Sequence, residues 1–388
     1  MKPEMNNLTV LLTNLRLEDR TGTELYVRDL AYGLLAMGHR PVVYSPRLGK
    51  LAQEIRAETI PVVDDLNQLS VVPDIIHGHH SNETLTALLH FPNVPGIFFS
   101  HDWYFSEDFP PKFPRILRYV AVDQPCLDKL VCEYGVPEDR VQLLPQFVDL
   151  ERFHARPPLP AKPRRAMILC NYTTDNEHLG AVQDACARAG LTLDVFGRGV
   201  GRPCAEPEKL LRDYDIVFAK GRAALEALAV GTAVIIYWWR RVGPMVTMSQ
   251  FDRLQQLNFG VRAMSKQLAP EEFGREIEQA LSSYDAADAA AVSDKVRASC
   301  GRDELVGQCL DLYEEVIEEH LGAAPVNPQT EARAAAAHLR KMSVLFWKQR
   351  DTMYNSTPFR LTERVMRLPM LGGVARRVGR IAAGRRKR

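Results

Sequence analysis

Two cations flank a glycine after an apolar run, a pattern suited to binding an anion. Asp215 to Ala219 reads as a buried strand, and the residues that follow it are Lys220, Gly221 and Arg222. A helical pattern starts there, and the first turn of a helix offers free N–H groups and a positive dipole end to a phosphate. Glycine would let a diphosphate approach the backbone, while Lys220 or Arg222 would neutralise its charge. The alternative is a glycine turn between two solvated cations.

Glu226 follows Arg222 by four residues, in a predicted helix made mostly of alanine and leucine. A carboxylate in such a helix must face water, a cation or a ligand, because unpaired burial of a charge is costly. Two interpretations follow. The carboxylate could contact a ligand, or it could form a surface ion pair with Arg222 at i,i+4 spacing.

His101 and Asp102 stand directly after another predicted buried strand, Gly96 to Phe99. Imidazole titrates near neutral pH, so His101 could hydrogen-bond a substrate or assist a proton transfer. Asp102 could act as a base or orient the histidine. We therefore predict a catalytic role for both residues, against the alternative of a loop histidine with a structural hydrogen bond.

Two further turns follow predicted strands. Gly22 and Thr23 come after the first predicted strand, residues 8–13, and before the first predicted helix, where a loop of backbone N–H groups could contact a phosphate or an acceptor. Gly243 and Thr247 lie in a segment after the predicted strand 232–236 and before a helical stretch. In both places an ordinary turn that needs a small residue is the alternative.

His77, His79 and His80 cluster at the end of a predicted strand. Neutral imidazole is a common metal ligand, so the cluster permits a metal-dependent hydrolase. That reading requires more ligands on other strands of a barrel, and the organisation of the chain argues against a barrel. The sequence therefore predicts no metal site, with one of these histidines lining a cleft.

Strands and helices alternate through most of the chain, which predicts α/β structure. The segment 1–50 reads as strand, glycine loop, helix and strand, the unit from which parallel sheets are built. Prolines concentrate between Pro145 and Arg165, which is typical of a linker. We predict two doubly wound, parallel-sheet, Rossmann-like domains, residues 1–150 and 166–322, joined by a linker at 151–165 and followed by a helix and basic tail at 323–388. Facing strand ends would enclose a cleft.

Several stretches resemble the GT-B glycosyltransferases, most closely glycosyltransferase family 4. The resemblance is carried by Thr21 to Pro46 (TGTELYVRDLAYGLLAMGHRPVVYSP), Pro73 to His80 with Phe98 to Trp103, Tyr134 to Phe153 (YGVPEDRVQLLPQFVDLERF), and Gly221 to Ile236 (GRAALEALAVGTAVII). These stretches touch both halves of the chain, and the last two are fairly specific as a pair.

The resemblance implies transfer of a sugar from a nucleotide-diphosphate-sugar donor to a hydroxyl acceptor such as a glycan, a lipid-linked saccharide or a small molecule. The second half would bind the donor, with Glu226 on its ribose and the segment of Gly243 and Thr247 near its sugar and phosphates. The first half would bind the acceptor around Gly22, Thr23 and His101. No cofactor or metal is expected, because helix N-termini and basic side chains can stabilise the departing diphosphate.

The sequence also departs from the family pattern. The family has two glutamates in its donor motif; Glu226 matches the second, and Phe218 stands at the first. An Arg and a Lys expected after the first strand of the second half are missing from Asn171 to His178. These departures motivate two other hypotheses, a catalytically silent GT-B domain that binds a nucleotide or a partner, and a nucleotide-sugar epimerase.

Composition restricts the environment of the protein. The 388 residues include 49 Lys and Arg against 48 Asp and Glu, so general attraction to nucleic acid is not expected. Seven cysteines without C-x-x-C spacing favour neither a disulfide framework nor structural zinc. The longest apolar stretch, Ala223 to Trp239, is too short to span a membrane. A cytoplasmic protein is expected.

The C-terminus is an exception to this charge balance. Ala334 to Met353 predicts a helix, of the kind that GT-B chains often return to their first domain. In residues 359–388 arginines dominate, Glu363 is the only acid, and apolar residues accompany them. Such a segment is typical of contact with an anionic membrane surface, here the inner face of a membrane. A solvated tail and nucleic-acid binding are the alternatives.

Overall fold

The computed structural model describes residues 7–101, 109–264 and 266–356. Residues 7–325 form one compact unit, and a second unit begins at Val326. The first unit contains two sheets, one of seven strands and one of five. The prediction of two doubly wound sheets is therefore confirmed.

The seven-stranded sheet is parallel throughout, and its strands follow the order β3-β2-β1-β4-β5-β6-β7. Strand centres such as Val10 to Leu12 are fully buried on both faces, as a parallel sheet covered by helices requires. The strands are β1 (Thr9–Thr13), β2 (Arg40–Tyr44), β3 (Val62–Val63), β4 (Ile75–His79), β5 (Gly96–Ser100), β6 (Ile116–Ala121) and β7 (Val141–Leu143). The helices are α1 (Gly22–Ala36), α2 (Lys50–Ala57), α3 (Ser81–His90) and α4 (Gln124–Asp128), which continues into one π-helical turn (Lys129–Glu133).

The five-stranded sheet has the order β12-β11-β10-β8-β9 and begins at residue 165. Its strands are β8 (Arg165–Leu169), β9 (Thr192–Phe196), β10 (Ile216–Ala219), β11 (Ala233–Trp238) and β12 (Arg241–Met245). Apolar cores cover both faces. The helices are α5 (Glu177–Arg188), α6 (Pro207–Leu210), α7 (Gly221–Val230), α8 (Phe251–Gln256), α9 (Pro270–Ser282) and α10 (Ala286–Ser299).

Strand order reverses once in each sheet, between β1 and β4 in the first and between β8 and β10 in the second. The carboxyl ends of strands at such a reversal are the usual ligand site of an open α/β sheet. In this chain those ends carry His79 in the first sheet and Lys220 in the second.

The helix α11 (Arg302–Gly322) follows the second sheet in sequence but packs on the first. The chain crosses at residue 301, where Gly301 pairs with Val148. Close approach of α11 to α1 depends on Gly33, since a Cβ there would lie 2.7 Å from Cγ2 of Val306. The domain boundary predicted at residue 322 is wrong in this respect, because residues 302–322 complete the first sheet's helical cover.

The second unit contains the helix α12 (Pro328–Asn355), which includes the predicted helix 334–353. Asn327 caps its first turn by accepting a hydrogen bond from the N–H of Gln329. A helix that returns to the first sheet from the C-terminal part of the first unit is present as α11. Among the residues that the structure describes, no helix has the length and apolarity that crossing a membrane would require.

Candidate active site between the two sheets

Three histidines meet at the carboxyl ends of β4 and β5. Nδ1 of His79 lies 2.7 Å from Nε2 of His101. His77 stacks on Phe99 at a centroid distance of 4.1 Å, and its Nδ1 lies 2.5 Å from the hydroxyl of Tyr313 on α11. Parallel strands place these side chains at one edge of the sheet, as the sequence predicted for His101. The predicted partner Asp102 lies outside the described residues.

Burial keeps all three imidazoles neutral. Desolvation lowers the pKa of His77 and His79 well below the usual value, and it lowers the pKa of His101 to about 3. At neutral pH each ring therefore has one donor nitrogen and one acceptor nitrogen. His101 is suited to hydrogen bonding with a substrate, and much less to accepting a proton as a general base.

Aromatic side chains connect the histidines to the second sheet. The ring of Tyr26 on α1 meets His101 edge-on at 4.6 Å and Phe147 at 4.9 Å between centroids. The guanidinium carbon of Arg222 lies 5.8 Å from the centre of the Phe147 ring. The predicted catalytic histidine and the predicted donor-binding arginine thus belong to one continuous site.

Arg222 joins the two halves through a buried ion-pair network. Its Nε donates to Glu226 at 2.7 Å, and its Nη2 donates to Asp29 of α1. The three side chains are at most 9% exposed. Asp29 also accepts from Nε of Arg28 at 2.7 Å and lies 4.0 Å from Arg152. The i,i+4 pair with Glu226 exists, but it is buried rather than on the surface.

The two carboxylates in this network differ in protonation tendency. Burial would raise the pKa of Asp29, but Arg222, Arg28 and Arg152 outweigh it and lower that pKa. Burial raises the pKa of Glu226, and Arg222 offsets only part of that rise. Asp29 therefore stays negatively charged, and Glu226 is the carboxylate that is protonated more readily.

The predicted phosphate turn at α7 is partly occupied by the protein itself. Gly221 adopts a φ of 56°, which glycine tolerates, and its N–H donates to the carbonyl of Phe259 at 3.1 Å. That N–H is therefore not available to a phosphate, contrary to the prediction. Lys220 is the N-cap residue of α7 at the carboxyl edge of the sheet, and its ammonium lies 5.3 Å from the centre of the Trp238 ring.

The first glycine loop is organised by a carboxylate. Oε1 of Glu24 accepts hydrogen bonds from the backbone N–H groups of Glu18 and Asp19, each at 3.0 Å, and Oε2 accepts from that of Thr21 at 3.0 Å. The amides of Glu18, Asp19 and Thr21 are thereby satisfied, whereas the role of Gly22 and Thr23 towards a phosphate or an acceptor stays a prediction. Thr21 and Glu24 also have the spacing of a helix capping box, a signal that sequence inspection could have found.

The segment of Gly243 and Thr247 forms a strand where a loop was expected. Gly243 lies within β12, which runs antiparallel to β11. A Cβ at Gly243 would lie 2.7 Å from the carbonyl oxygen of Ala263, so the glycine serves packing. β12 starts beside Trp238 and ends beside Ile235, which places Thr247 towards the amino end of β11. Gly243 therefore lies in a strand, and Thr247 lies away from the carboxyl edge of the sheet, where the donor was predicted to bind.

Sequence reasoning identified His101 but missed other residues on the first-sheet side of the site. Asp29, Tyr26 and Gln146 lie in patterns that look like an ordinary helix and a linker. Nε2 of Gln146 lies 3.5 Å from Nδ1 of His101. A cavity of about 360 Å³ beside Asp29 is lined from both halves, including Arg20, Glu54, Arg152 and Glu208. The described residues contain no group of three His, Cys, Asp or Glu side chains placed to hold a metal.

Comparison with known proteins agrees with this architecture. The sequence model described as Glycosyltransferase Family 4 matches residues 20–152. A glycosyltransferase from Rickettsia africae ESF-5 is 14% identical, with a TM-score of 0.57 over 80% of this chain and 99% of that one. The apo form of the lipopolysaccharide outer core galactosyltransferase WaaB is 11% identical, with a TM-score of 0.51 over 79% of this chain and 99% of that one.

A search of curated protein sequences gives no match. At such low identities the solved structures establish the fold, and the family match concerns the first half of the chain. The chain has the GT-B fold of these solved structures, and its residues 20–152 match the Glycosyltransferase Family 4 model.

Proposed function

We propose that the protein is a glycosyltransferase that moves a sugar, of hexose type, from a nucleotide-diphosphate donor to a hydroxyl acceptor. The observation that carries the proposal is the continuity of the site from His101 through Tyr26 and Phe147 to Arg222. One hydrogen-bonding imidazole and one buried guanidinium thus face the same region from the two sheets. That arrangement suits a reaction in which a diphosphate leaves from a sugar.

The second sheet would bind the donor. Lys220 and Arg222 bring positive charge to the first turn of α7, where the helix dipole also favours a diphosphate. Catalysis would rest on positioning and on stabilising the negative charge of the leaving group. These groups can do so without a metal. His101 would hydrogen-bond the transferred sugar as a neutral imidazole.

Calorimetric titration with UDP, GDP, ADP and dTDP tests the donor site. We expect one of these nucleotides to bind and to stabilise the protein by about 2.7 kcal/mol at a hundredfold excess over its Kd. Lys220→Met should weaken that binding by at least about tenfold, since hydrogen bonds to charged groups contribute roughly 1.5–3 kcal/mol. Transfer from the matching nucleotide sugar to a panel of hydroxyl acceptors would complete the assignment.

Lys209→Met is the matched control. Lys209 is 67% exposed on α6 and pairs with Glu206, so its loss should leave nucleotide affinity unchanged. Equal affinities of the Lys220 and Lys209 variants would remove the donor site from the proposed place. Turnover of the nucleotide sugar without an acceptor would instead identify an epimerase.

A catalytically silent binding module is the second candidate. It is favoured by the engagement of Arg222 and Glu226 with each other and with Asp29, which takes up groups that a donor would use. In that case a nucleotide would bind, or a partner would replace it, and no acceptor in the panel would receive a sugar. Donor binding without hydrolysis or transfer is the expected signature of the module.

We propose further that the C-terminal region holds the protein on the cytoplasmic face of an anionic membrane, where a lipid-linked acceptor would be met. Leu339, Phe346 and Met353 recur every seventh residue of α12 and are each more than half exposed. On the same helix, the guanidinium carbon of Arg350 lies 3.7 Å from the centre of the Trp347 ring. Residues 359–388, rich in arginine, lie outside the described residues.

Co-sedimentation with vesicles tests this proposal. The full chain should bind vesicles containing anionic phospholipid, should bind neutral vesicles weakly, and should be released by high salt. Truncation after Thr357 should abolish most of the binding, and Phe346→Ser should weaken it by removing apolar contact. Equal binding by the full chain and the truncated chain would refute the proposal.

A further inference from the structure

Asp29 is an unusual residue for its position. It lies in the middle of α1, where its neighbours Tyr26, Val27 and Leu30 are fully buried apolar or aromatic residues, and its own side chain is 0% exposed. A carboxylate is retained in such a place only when cations and hydrogen bonds compensate its desolvation. Here the compensation comes from the first half and from the second half of the chain together.

Arg222 is held on two sides by carboxylates. Nη2 donates to Asp29 and Nε donates to Glu226, while the Phe147 ring lies 5.8 Å from the guanidinium carbon. Nη1 is buried and has no hydrogen-bond partner among the described residues. A guanidinium has five N–H donors in a fixed planar fork, so fixing two nitrogens fixes the direction of the third. The two carboxylates therefore orient Nη1 and leave its donors for another acceptor.

We propose that Asp29 is a positioning residue that orients Arg222 towards the diphosphate of the donor. This inference rests on the proposed function, because Arg222 must contact the donor for its orientation to matter. Glu226 alone could not fix the fork, since it holds only Nε and its pKa is raised by burial. Asp29 stays charged and supplies the second point of attachment. A residue of the acceptor half would thereby set donor affinity in the other half.

The proposal predicts an effect on the distal phosphate in particular. A variant that disorients Arg222 should lose affinity for a nucleoside diphosphate more than for the matching monophosphate. A variant that only loosens the fold should weaken both ligands alike. The informative quantity is therefore the affinity for the nucleoside diphosphate divided by the affinity for the matching monophosphate. Both are measured on the full chain by calorimetry, with the diphosphate that binds best.

Asp29→Asn should lower this ratio by about tenfold, which corresponds to roughly 1.4 kcal/mol. Arg222→Lys, which cannot pair with both carboxylates in the same way, should lower it similarly. The double variant should show no further decrease, since Asp29 acts through Arg222. Asp215→Asn is the matched control, because Asp215 is another buried carboxylate that pairs with an arginine, Arg156, but makes no contact with Arg222, and its ratio should equal that of the wild type.

An unchanged ratio in Asp29→Asn, or multiplicative effects in the double variant, would overturn the proposal. If Asp29→Asn does not fold, Asp29→Glu keeps the charge and moves the carboxylate by one methylene. Its ratio should fall by at least about threefold, because misplacement of an oriented group by about 1 Å is costly; a wild-type ratio there would also overturn it. Failure of the wild type to bind any nucleoside diphosphate would instead contradict the proposed function.

Discussion

Arg222→Met should lower the free energy of unfolding by about 3–5 kcal/mol, the range measured when one partner of a buried ion pair is removed. The arginine is 9% exposed, and its loss leaves the carboxylates of Asp29 and Glu226 buried with less compensation. Glu226 can reduce the cost of its buried charge by taking up a proton, but Asp29 remains charged beside Arg28. Urea denaturation followed by circular dichroism measures the change.

Arg188→Met is the matched control for this prediction. Arg188 pairs with Glu278 on the surface, where the two side chains are 60% and 43% exposed, so its replacement should cost at most about 1 kcal/mol. Neutralising the three side chains in Asp29→Asn/Arg222→Met/Glu226→Gln should recover part of the lost stability, because no buried carboxylate is then left without Arg222, while Arg28 keeps Glu54 as a partner at 3.9 Å. A single Arg222 variant as stable as the wild type would contradict the buried network.

Acid should destabilise the protein from about pH 6.5 downwards because the buried His77 and His79 and the half-buried His101 must stay neutral. His77, His79 and His101 have a lower pKa in the folded chain than in the unfolded chain, where imidazole titrates near 6.5. The unfolded state therefore binds more protons below pH 6.5. Stability is fully present above that pH and is lost as pH falls towards about 3, by up to roughly 1.4 kcal/mol per pH unit for each histidine.

The substitution His77→Phe removes one of the three histidines whose protonation favours the unfolded state. The free energy of unfolding, measured between pH 6 and pH 4.5, should fall less steeply in the variant than in the wild type, by about 1.4 kcal/mol per pH unit. The variant also loses the hydrogen bond between His77 and Tyr313, so the slope and not the absolute stability is the readout. His90→Gln, at the exposed end of α3, should keep the wild-type slope. Identical slopes in His77→Phe and the wild type would show that His77 is not buried as described.

The architecture could be predicted from sequence because parallel sheets leave a local signal. Continuous apolar runs such as Ile75 and Ile76 before the histidines, and Val10 to Leu12, are what a strand buried on both faces requires. The hairpin that leads to β12 was not predicted because Trp238, Trp239 and the arginines after them do not resemble a turn. Trp239 takes a positive φ of 53° without being glycine, asparagine or aspartate, so turn chemistry could not reveal it.

The site could be predicted only where a residue's role depends on its own strand or helix. His101 follows β5 and Arg222 opens α7, and both could be singled out from those positions. Asp29 could not, because its partner lies 193 residues away in sequence and only the tertiary fold brings them together. The same long-range packing buries Glu226. Local pattern indicates which groups are capable of chemistry, while distant contacts decide which are already engaged.

The return of α11 to the first sheet has a consequence for biosynthesis. A nascent chain that has emerged from the ribosome through residue 300 contains every strand of both sheets, yet it lacks the helix that supplies Tyr313 to His77 and Val306 to Gly33. The N-terminal half is translated first, but its packing is complete only after the whole second sheet has been synthesised. Domains that emerge early usually fold early, but here the strand ends that carry His77 and His79 gain the packing of α11 only after residues 302–322 have been translated.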